Sequence, residues 1–223
     1  MKFENTEVWG FEHSIRGMRN PMESWDKSDS YYGNNEIGLE SYVIGENDMK
    51  LMKTLIKAGP EHRKFLRQIF ISVDITAPLY WWKEFDTYKV GTVADSCSTM
   101  HKLKDTPITV DCFEMGDFAD VDVLTDILDK RIILNIYSFY DLVMIPYMEK
   151  LRQKYIETKD KRYWKELIRL LPESWLQKRT VTMSYENVAN IYSQRMNHKL
   201  TEWSKDFIQW ADSLPYFKEL FTV

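Results

Sequence analysis

The sequence predicts an α/β protein in which helices predominate, and two observations carry that prediction. The first is a strand over residues 69–76, where β-branched apolar residues occupy every second position, as in a strand with one well-buried face. The second is the recurrence of apolar residues at spacings of three and four in much of the remaining chain, the period of amphipathic helices. Helices should therefore predominate.

The boundaries of several elements follow from residues that begin or end secondary structure. An Asn-Asp pair at residues 47–48 should open a helix, and the Gly-Pro pair at residues 59–60 should end it. Pro78 follows the predicted strand and should begin the next helix, because proline suits a first helical position. A further short strand is predicted at residues 108–110.

Two long helical patterns occupy the C-terminal half of the chain. The first covers residues 121–159, and Pro146 should kink it because proline cannot donate the helical hydrogen bond. The second runs from about residue 185 to residue 209, with Ser184 as its N-cap. Residues 10–40, by contrast, are interrupted by glycines and a proline, so we expect a long irregular loop with a functional role.

Composition narrows the class of protein. A chain of 223 residues with 44% apolar and 14% aromatic content can bury one large core, so a single domain over residues 1–223 is expected. The net charge of −4 is spread without a basic run, which argues against nucleic-acid binding. No stretch reaches the roughly 18 apolar residues that a membrane span requires. We expect a cytoplasmic protein without a membrane segment.

The cysteines and histidines argue against a disulfide framework and against a metal site. Cys97 and Cys112 are too few for a disulfide framework and fit a reducing compartment. His101 and His198 have no second His or Cys at ligand spacing, so no metal site is expected.

The most informative segment is residues 80–103, which follow the Ala-Pro pair at residues 77–78. It resembles the signature of the flavin-dependent thymidylate synthases, Arg-His-Arg-x-x-Ser-x-Asn-Glu-x-Ser-x-Arg-Tyr, which lies after a helix that follows a strand ending in Ala-Pro. Aligned without gaps, four residues match a signature residue in chemical character: Lys89, Thr92, Asp95 and Cys97. Five others depart from it: Thr87, Tyr88, Ala94, Thr99 and Met100.

A second block supports the resemblance. A Leu-Pro pair at residues 171–172 is followed by Asn190 and Arg195 at the family's spacing, and His62 matches a family histidine ahead of the strand. Arg169 lies one position later than the family's arginine. Ser184 and Glu186 stand where the family has Asn and Arg.

The resemblance implies a fold and an activity. The fold has helices around a small, mostly antiparallel sheet, and the protein is a homotetramer with active sites between subunits. The activity is reductive methylation of a deoxyuridine nucleotide, dUMP, to dTMP, with FAD as cofactor and NADPH and methylene-tetrahydrofolate as co-substrates. Matching residues would contact FAD: His62, Lys89, Val90, Asp95 and Asn190. Others would contact the nucleotide, with Arg195 as the catalytic residue: Thr92, Asp95, Cys97, Arg169 and Arg195.

Other interpretations remain open for these residues. Arg195 continues an apolar helical stripe, so a structural ion pair with a carboxylate is the competing reading. In the predicted loop, Arg16 and Arg19 could supply the cationic contacts that the changed signature lacks, or could simply be solvated. A different pyrimidine-nucleotide modification, or a non-catalytic relative that binds nucleotides or assists assembly, is the alternative function.

Overall fold

A computed structural model describes residues 1–34, 40–116 and 135–221, apart from the side chain of residue 40. The chain divides into two compact units that alternate along the sequence. Unit 1 comprises Met1–Ile75, Thr87–Asp95 and Thr180–Val223, and unit 2 comprises Thr76–Asp86 and Ser96–Arg179. The single domain expected from chain length stays a prediction.

The described residues form the following strands and helices. The strands are β1 (Lys2–Trp9), β2 (Tyr31–Asn34), β3 (Glu40–Val43), β4 (Phe70–Pro78), β5 (Val93–Ser96) and β6 (Leu176–Ser184). The α-helices are α1 (Phe11–Arg19), α2 (Glu46–Lys57), α3 (Leu79–Phe85), α4 (Thr99–Lys102), α5 (Ile136–Phe139), α6 (Ile145–Thr158), α7 (Lys161–Arg169), α8 (Tyr185–Arg195), α9 (Ile208–Asp212) and α10 (Phe217–Phe221). Two of the described segments, Tyr140–Met144 and Glu202–Phe207, are π-helical.

The strands form one sheet of four strands and one hairpin. The order in the larger sheet is β1-β4-β6-β5, and β2 pairs antiparallel with β3, with Tyr31 opposite Val43. The predicted mixture of helices and a small antiparallel sheet is therefore confirmed.

Strand β4 forms where the alternating pattern predicted it. The alternating side chains Ile69, Ile71, Val73 and Ile75 are all fully buried. Pro78 ends β4 and is the N-cap of α3, one position before the first helical residue that was predicted for it. Helix α2 also begins and ends close to the predicted boundaries.

The expectation of a long irregular loop over residues 10–40 is wrong for Phe11–Arg19 and Tyr31–Asn34, which form α1 and β2, while residues 35–39 lie outside the described residues. Helix α1 occupies Phe11–Arg19, because Phe11, Ile15 and Met18 recur at helical spacing and all three are buried. Gly10 precedes the helix at a φ of 101°, and a Cβ there would lie 2.3 Å from the carbonyl oxygen of Gln68. The glycine thus permits a close approach at the helix start and does not mark a loop.

Three other expectations need correction or fall outside the described residues. Residues 108–110 form no strand, because the N–H of Ile108 donates to Glu149 Oε2 at 3.0 Å and a 3₁₀ turn follows at Val110–Cys112. The final helix is broken after Arg195, where the N–H of Leu200 donates to the ring Nδ1 of His198 at 3.2 Å and not to a helical carbonyl. The N-terminal part of the predicted helix at 121–159, residues 121–134, lies outside the described residues.

Pro146 lies at the second residue of α6, directly after the π-helical segment Tyr140–Met144. A proline there cannot donate to the carbonyl four residues earlier, and a π-helical turn is one way in which a helix absorbs that loss. The predicted irregularity therefore falls just before the proline, while the helical path continues from residue 136 to residue 158.

Each unit has its own apolar core. In unit 1 the buried side chains of β6 and α8 include Val181, Met183 and Ile191. In unit 2, Met148 and Leu167 belong to a cluster of buried residues that also contains Leu103, Ile108, Phe113, Tyr140, Ile145 and Leu151.

Candidate functional site

A cleft of about 570 Å³ lies along α8, entirely within unit 1. We call it the α8 cleft. Three chain segments form it: residues 67–70, residues 87–91 and residues 184–194. Its lining residues are Arg67, Phe70, Thr87, Tyr88, Val90, Gly91, Ser184, Glu186, Asn187, Asn190 and Gln194.

The start of α8 is fixed by reciprocal capping. The hydroxyl of Ser184 accepts from the N–H of Asn187 at 3.3 Å, while the Asn187 side chain accepts from the N–H of Ser184 at 3.2 Å. The Asn187 amide also donates to the carbonyl oxygen of Val90 at 2.6 Å. Gly91, at a φ of 78°, turns the chain next to that contact. One side chain therefore fastens both the helix start and the loop at residues 90–91.

We expect Asn187→Ala to lower the free energy of unfolding by about 1–2 kcal/mol, because it removes one half of the capping box and the bond to Val90. Urea denaturation measures the loss. Asn197→Ala, an exposed residue outside α8, is the control and should change stability by less than about 0.5 kcal/mol. Equal stability of the two variants would contradict the capping role.

One wall of the α8 cleft contains an ion pair. Nε of Arg63 lies 3.2 Å from Oε1 and 3.1 Å from Oε2 of Glu186, and its Nη2 donates to Oδ1 of Asn190 at 2.9 Å. The side chains of Arg63 and Glu186 are 21% and 10% exposed. The carboxylate that replaces an expected arginine is thus balanced by a neighbouring guanidinium, and Asn190 is oriented by the same group.

Arg195 lies behind the cleft, packed against aromatic rings. Its guanidinium carbon is 4.9 Å from the ring centroid of Trp203 and 5.5 Å from that of Tyr88, within range of a cation–π interaction. Its Nε donates to the Tyr88 hydroxyl at 2.9 Å, and that hydroxyl donates to Gln194 Oε1 at 3.1 Å. Tyr88 lines the cleft and Arg195 does not, so Arg195 acts on the cleft through Tyr88 in this arrangement.

The cleft retains donors with no hydrogen-bond acceptor among the described residues. These are the guanidinium of the exposed Arg67, the amide Nδ2 of Asn190 and the amide Nε2 of Gln194. Phe70 and Tyr88 supply aromatic surface. A cation, amide donors and flat apolar walls suit a ligand that combines phosphate, carbonyl oxygens and a planar ring.

The structure brings part of the predicted set together. Val90 and Asn190 line the cleft, and Lys89 lies exposed in the same loop. The hydroxyl of Thr92 donates to the carbonyl oxygen of Tyr88 at 3.1 Å, which holds the turn. Exposed His62 precedes Arg63 in the chain.

The other predicted residues of unit 1 are elsewhere. Arg16 is exposed on α1, and Asp95 is exposed on β5. Arg19 is buried, and its Nε donates to Oδ1 of Asp48 at 2.7 Å. A buried, paired Arg19 belongs to the structure of unit 1, so the alternative of a solvated loop residue is wrong for Arg19, and the nucleotide contacts expected of Arg16 and Arg19 stay predictions.

Two predicted residues lie in unit 2. Cys97 lines a small cleft of about 180 Å³, which Cys112 also lines, and both cysteines are free. Arg169 is exposed at the end of α7.

Nine of the eleven lining residues were missing from the predicted site, among them four that supply charge, an aromatic ring or an amide: Arg67, Phe70, Glu186 and Gln194. A signal existed for two of them, since Arg67 belongs to the basic cluster around His62 and Gln194 directly precedes Arg195. Phe70 was assigned only to a strand, and the pairing of Glu186 with Arg63 depends on residues 123 positions apart.

Within residues 1–34, 40–116 and 135–221, no group of three or more His, Cys, Asp or Glu side chains could hold a metal ion. In the same part of the chain, no helix has the length and apolar character needed to cross a bilayer.

The chain has the fold of the flavin-dependent thymidylate synthases, as two solved structures show. The chain is similar to a crystal structure of flavin-dependent thymidylate synthase ThyX from Helicobacter pylori complexed with FAD and dUMP, at 15% identity and a TM-score of 0.66. A second structure of the Helicobacter pylori enzyme with FAD and dUMP gives 15% identity and a TM-score of 0.67. Each match covers 100% of this chain and 98% of the other.

Comparison of the sequence with known families and proteins finds no match. No family model matches the chain, and none of the curated proteins matches it significantly. The likeness is therefore one of fold at low sequence identity.

Proposed function

We propose that this protein is a flavin-dependent enzyme of the thymidylate synthase type that acts on a deoxyuridine nucleotide. One observation carries the proposal. The α8 cleft is formed by the same segments that resemble the family in sequence, namely the residues around His62, the segment after α3 and the helix that contains Asn190. The fold match along the full chain to a protein complexed with FAD and dUMP supports it.

The lining residues fit part of an FAD molecule. Arg67 would hold a phosphate group, since a guanidinium can donate two hydrogen bonds at once. The free amide donors of Asn190 and Gln194 would bind carbonyl oxygens, and Phe70 and Tyr88 would lie against a ring. FAD, when bound, supplies a hydride for reduction of the one-carbon unit.

The full reaction that we propose is reductive methylation of dUMP to dTMP. NADPH would provide the reducing equivalents, and methylene-tetrahydrofolate the one-carbon unit. Thr92, Asp95, Cys97 and Arg169 remain proposed nucleotide contacts, in a homotetramer whose sites lie between subunits. The protein would work in the cytoplasm.

The test combines reconstitution with turnover. Purified protein is incubated with FAD and then with NADPH, methylene-tetrahydrofolate and dUMP tritiated at C5, and release of tritium and formation of dTMP are measured. We expect FAD to bind and dTMP to form only when all three substrates are present. Arg67→Ala should weaken FAD binding by about 1.5–3 kcal/mol, or roughly 10- to 150-fold, because a charge-assisted bond is lost.

Arg162→Ala provides the control, since Arg162 is 89% exposed and lies in unit 2. Its FAD affinity should equal that of the wild type. Protein that stays colourless in excess FAD would contradict the flavin proposal. Equal FAD affinity of the Arg67 and Arg162 variants would exclude Arg67 from the site.

A second candidate is a relative that binds the nucleotide without methylating it, or that modifies the base differently. Glu186 favours it, because a carboxylate in the cleft wall replaces a positive charge that the family resemblance leads one to expect. Binding of FAD and dUMP without release of tritium from C5 would select this candidate over thymidylate synthesis.

A further inference from the structure

A second cleft lies in unit 1, and it shares no lining residue with the α8 cleft. Its volume is about 610 Å³, within the range of about 300–1,000 Å³ that is usual for small-molecule sites. The end of β1 and the start of α1 form one side, the hairpin of β2 and β3 a second, and the segment before and within α10 a third. We call it the β1–α1 cleft.

Aromatic side chains dominate the lining of this cleft. Trp9 and Tyr32 are 44% and 57% exposed, which is high for residues of this size, and Phe11, Tyr42 and Tyr216 lie deeper. The rings of Tyr32 and Tyr42 contact edge to face, with centroids 5.1 Å apart. Partly exposed rings in a concave site offer the electron-rich faces that attract cations.

The charged residues of the lining are acidic. Glu12 and Glu219 contribute carboxylates, and none of the described lining residues is Lys or Arg. Glu12 accepts one hydrogen bond, from the Tyr32 hydroxyl at 2.9 Å, while Glu219 forms no hydrogen bond or ion pair with a described side chain. His13, also in the lining, lies with Nε2 3.0 Å from the carbonyl oxygen of Gln68. The cleft therefore favours a positively charged ligand and disfavours an anion.

The negative charges of these carboxylates contribute to raised pKa values of neighbouring tyrosines. Burial, followed by the negative charges of Asp48 and Glu12, raises the pKa of Tyr42. Burial, followed by the charge of Glu219, raises the pKa of Tyr185 well above its usual range. Both carboxylates thus act on the interior next to the cleft and not only on bulk solvent.

The backbone around the cleft is held in an unusual conformation. Tyr216 has a φ of 59°, a left-handed conformation that bulky residues rarely adopt. Its hydroxyl accepts from the N–H of Ile44 at 3.3 Å and donates to the carbonyl oxygen of Tyr42 at 3.2 Å. These bonds tie the residue before α10 to β3 and to the residue that follows it, and they help to fix the shape of the cleft.

We propose that the β1–α1 cleft binds a small organic cation of the alkylammonium class, with Glu12 and Glu219 as counter-charges and Trp9 among the rings that contact its methylene groups. This class combines positive charge with apolar carbon, as the mixed carboxylate and aromatic lining requires. A ligand with two ammonium groups matches the two carboxylates. The site shares no lining residue with the proposed flavin site, although Trp9 stacks on Phe70 of the α8 cleft with ring centroids 5.9 Å apart, and the proposal does not rest on flavin binding.

The experiment is a calorimetric titration of the full chain with 1,4-diaminobutane, with 1,4-butanediol as the uncharged analogue of the same length. We expect saturable binding of one diamine per chain and no binding of the diol at about 10 mM, a concentration that reveals even weak affinity. Glu219→Gln should weaken diamine binding about 10-fold or more, and Trp9→Leu should also weaken it. A lysine-containing peptide, tested in parallel, distinguishes a free amine from a protein side chain as the source.

Glu61→Gln is the matched control, because Glu61 is an exposed glutamate of unit 1 that does not line the cleft. Its diamine affinity should remain that of the wild type. The proposal is overturned if the diamine shows no saturable binding, if the diol binds equally well, or if Glu61→Gln weakens binding as much as Glu219→Gln. Thermal melting of each variant verifies that the chain is folded, which the exposure of Glu219 favours.

Discussion

Replacing Asp48 with Asn should lower the free energy of unfolding by about 3–5 kcal/mol, because it leaves a buried guanidinium without its counter-charge. Asp48 is fully buried and Arg19 is 4% exposed. Oδ1 of Asp48 accepts from Arg19 Nε at 2.7 Å, and Oδ2 accepts from the hydroxyls of Ser28 and Ser30 at 2.7 and 2.6 Å. One carboxylate therefore joins α1, α2 and the segment before β2.

Urea denaturation of the Asp48→Asn variant gives the size of this loss. Asp26→Asn is the control, since Asp26 is exposed in the same part of unit 1, and it should change stability by less than about 0.5 kcal/mol. Similar unfolding midpoints for the two variants would show that the Asp48 contacts contribute little.

The same carboxyl group should make stability depend on pH. Burial alone would raise the pKa of Asp48, but hydrogen bonds from Ser30, Ser28 and Arg19 together outweigh it and hold the pKa below its ordinary value. A depressed pKa in the folded state stabilises the protein above the ordinary value of about 3.9, and the contribution is lost as pH falls towards the folded-state pKa. The wild type should lose more stability over this acidic range than Asp48→Asn.

Replacing Arg195 with Ala should lower kcat/KM for dUMP by about 10²-fold, given the proposed activity, and should lower the free energy of unfolding by about 1–3 kcal/mol. The guanidinium packs on Tyr88 and Trp203 and donates to the Tyr88 hydroxyl. Loss of the guanidinium would remove the packing and the hydrogen bond that hold Tyr88 in place, and Tyr88 lines the α8 cleft. Steady-state kinetics, dUMP titration and thermal melting measure the effects.

Tyr88→Phe separates the two ways in which Arg195 could act. It keeps the ring and removes only the hydroxyl. If Arg195 positions Tyr88, we expect this change to weaken dUMP binding by about 0.5–1.5 kcal/mol. If Arg195→Ala loses dUMP affinity while Tyr88→Phe and Tyr88→Leu keep it, Arg195 contacts the nucleotide itself, as the family resemblance predicts. Wild-type kinetics in Arg195→Ala would contradict both roles.

Local signals in the sequence were sufficient for several elements. The alternation at residues 69–76, Pro78 after it and the boundaries of α2 all reappear in the structure, because each depends on residues close together in the chain. The cap at Ser184 is also correct, and Asn187 completes it three residues later. Signals of this kind act within one turn or one strand, where sequence distance and spatial distance agree.

Two predictions from the sequence were wrong, one because it relied on glycines and the other because it relied on a long helical pattern. Gly10 and Gly17 suggested a loop, yet α1 forms because its apolar face packs into the core, which outweighs a helix penalty of about 1 kcal/mol for an internal glycine. The helix expected to reach residue 209 breaks after Arg195 because the ring of His198 satisfies the N–H of Leu200. Neither outcome is readable from periodicity alone.

The sequence by itself determined the fold class and the strand at β4, and it singled out two of the three segments that line the α8 cleft, at residues 87–91 and 184–194. Only the tertiary structure decided which partner each charged side chain has. Arg63 pairs with Glu186 and Arg19 with Asp48, while Arg195 contacts the hydroxyl and ring of Tyr88. The partners in these pairs are 123, 29 and 107 residues apart. A charged side chain shows its type in the sequence, but its partner depends on burial and on which distant segment packs beside it, since desolvation makes pairing obligatory only once the chain has folded.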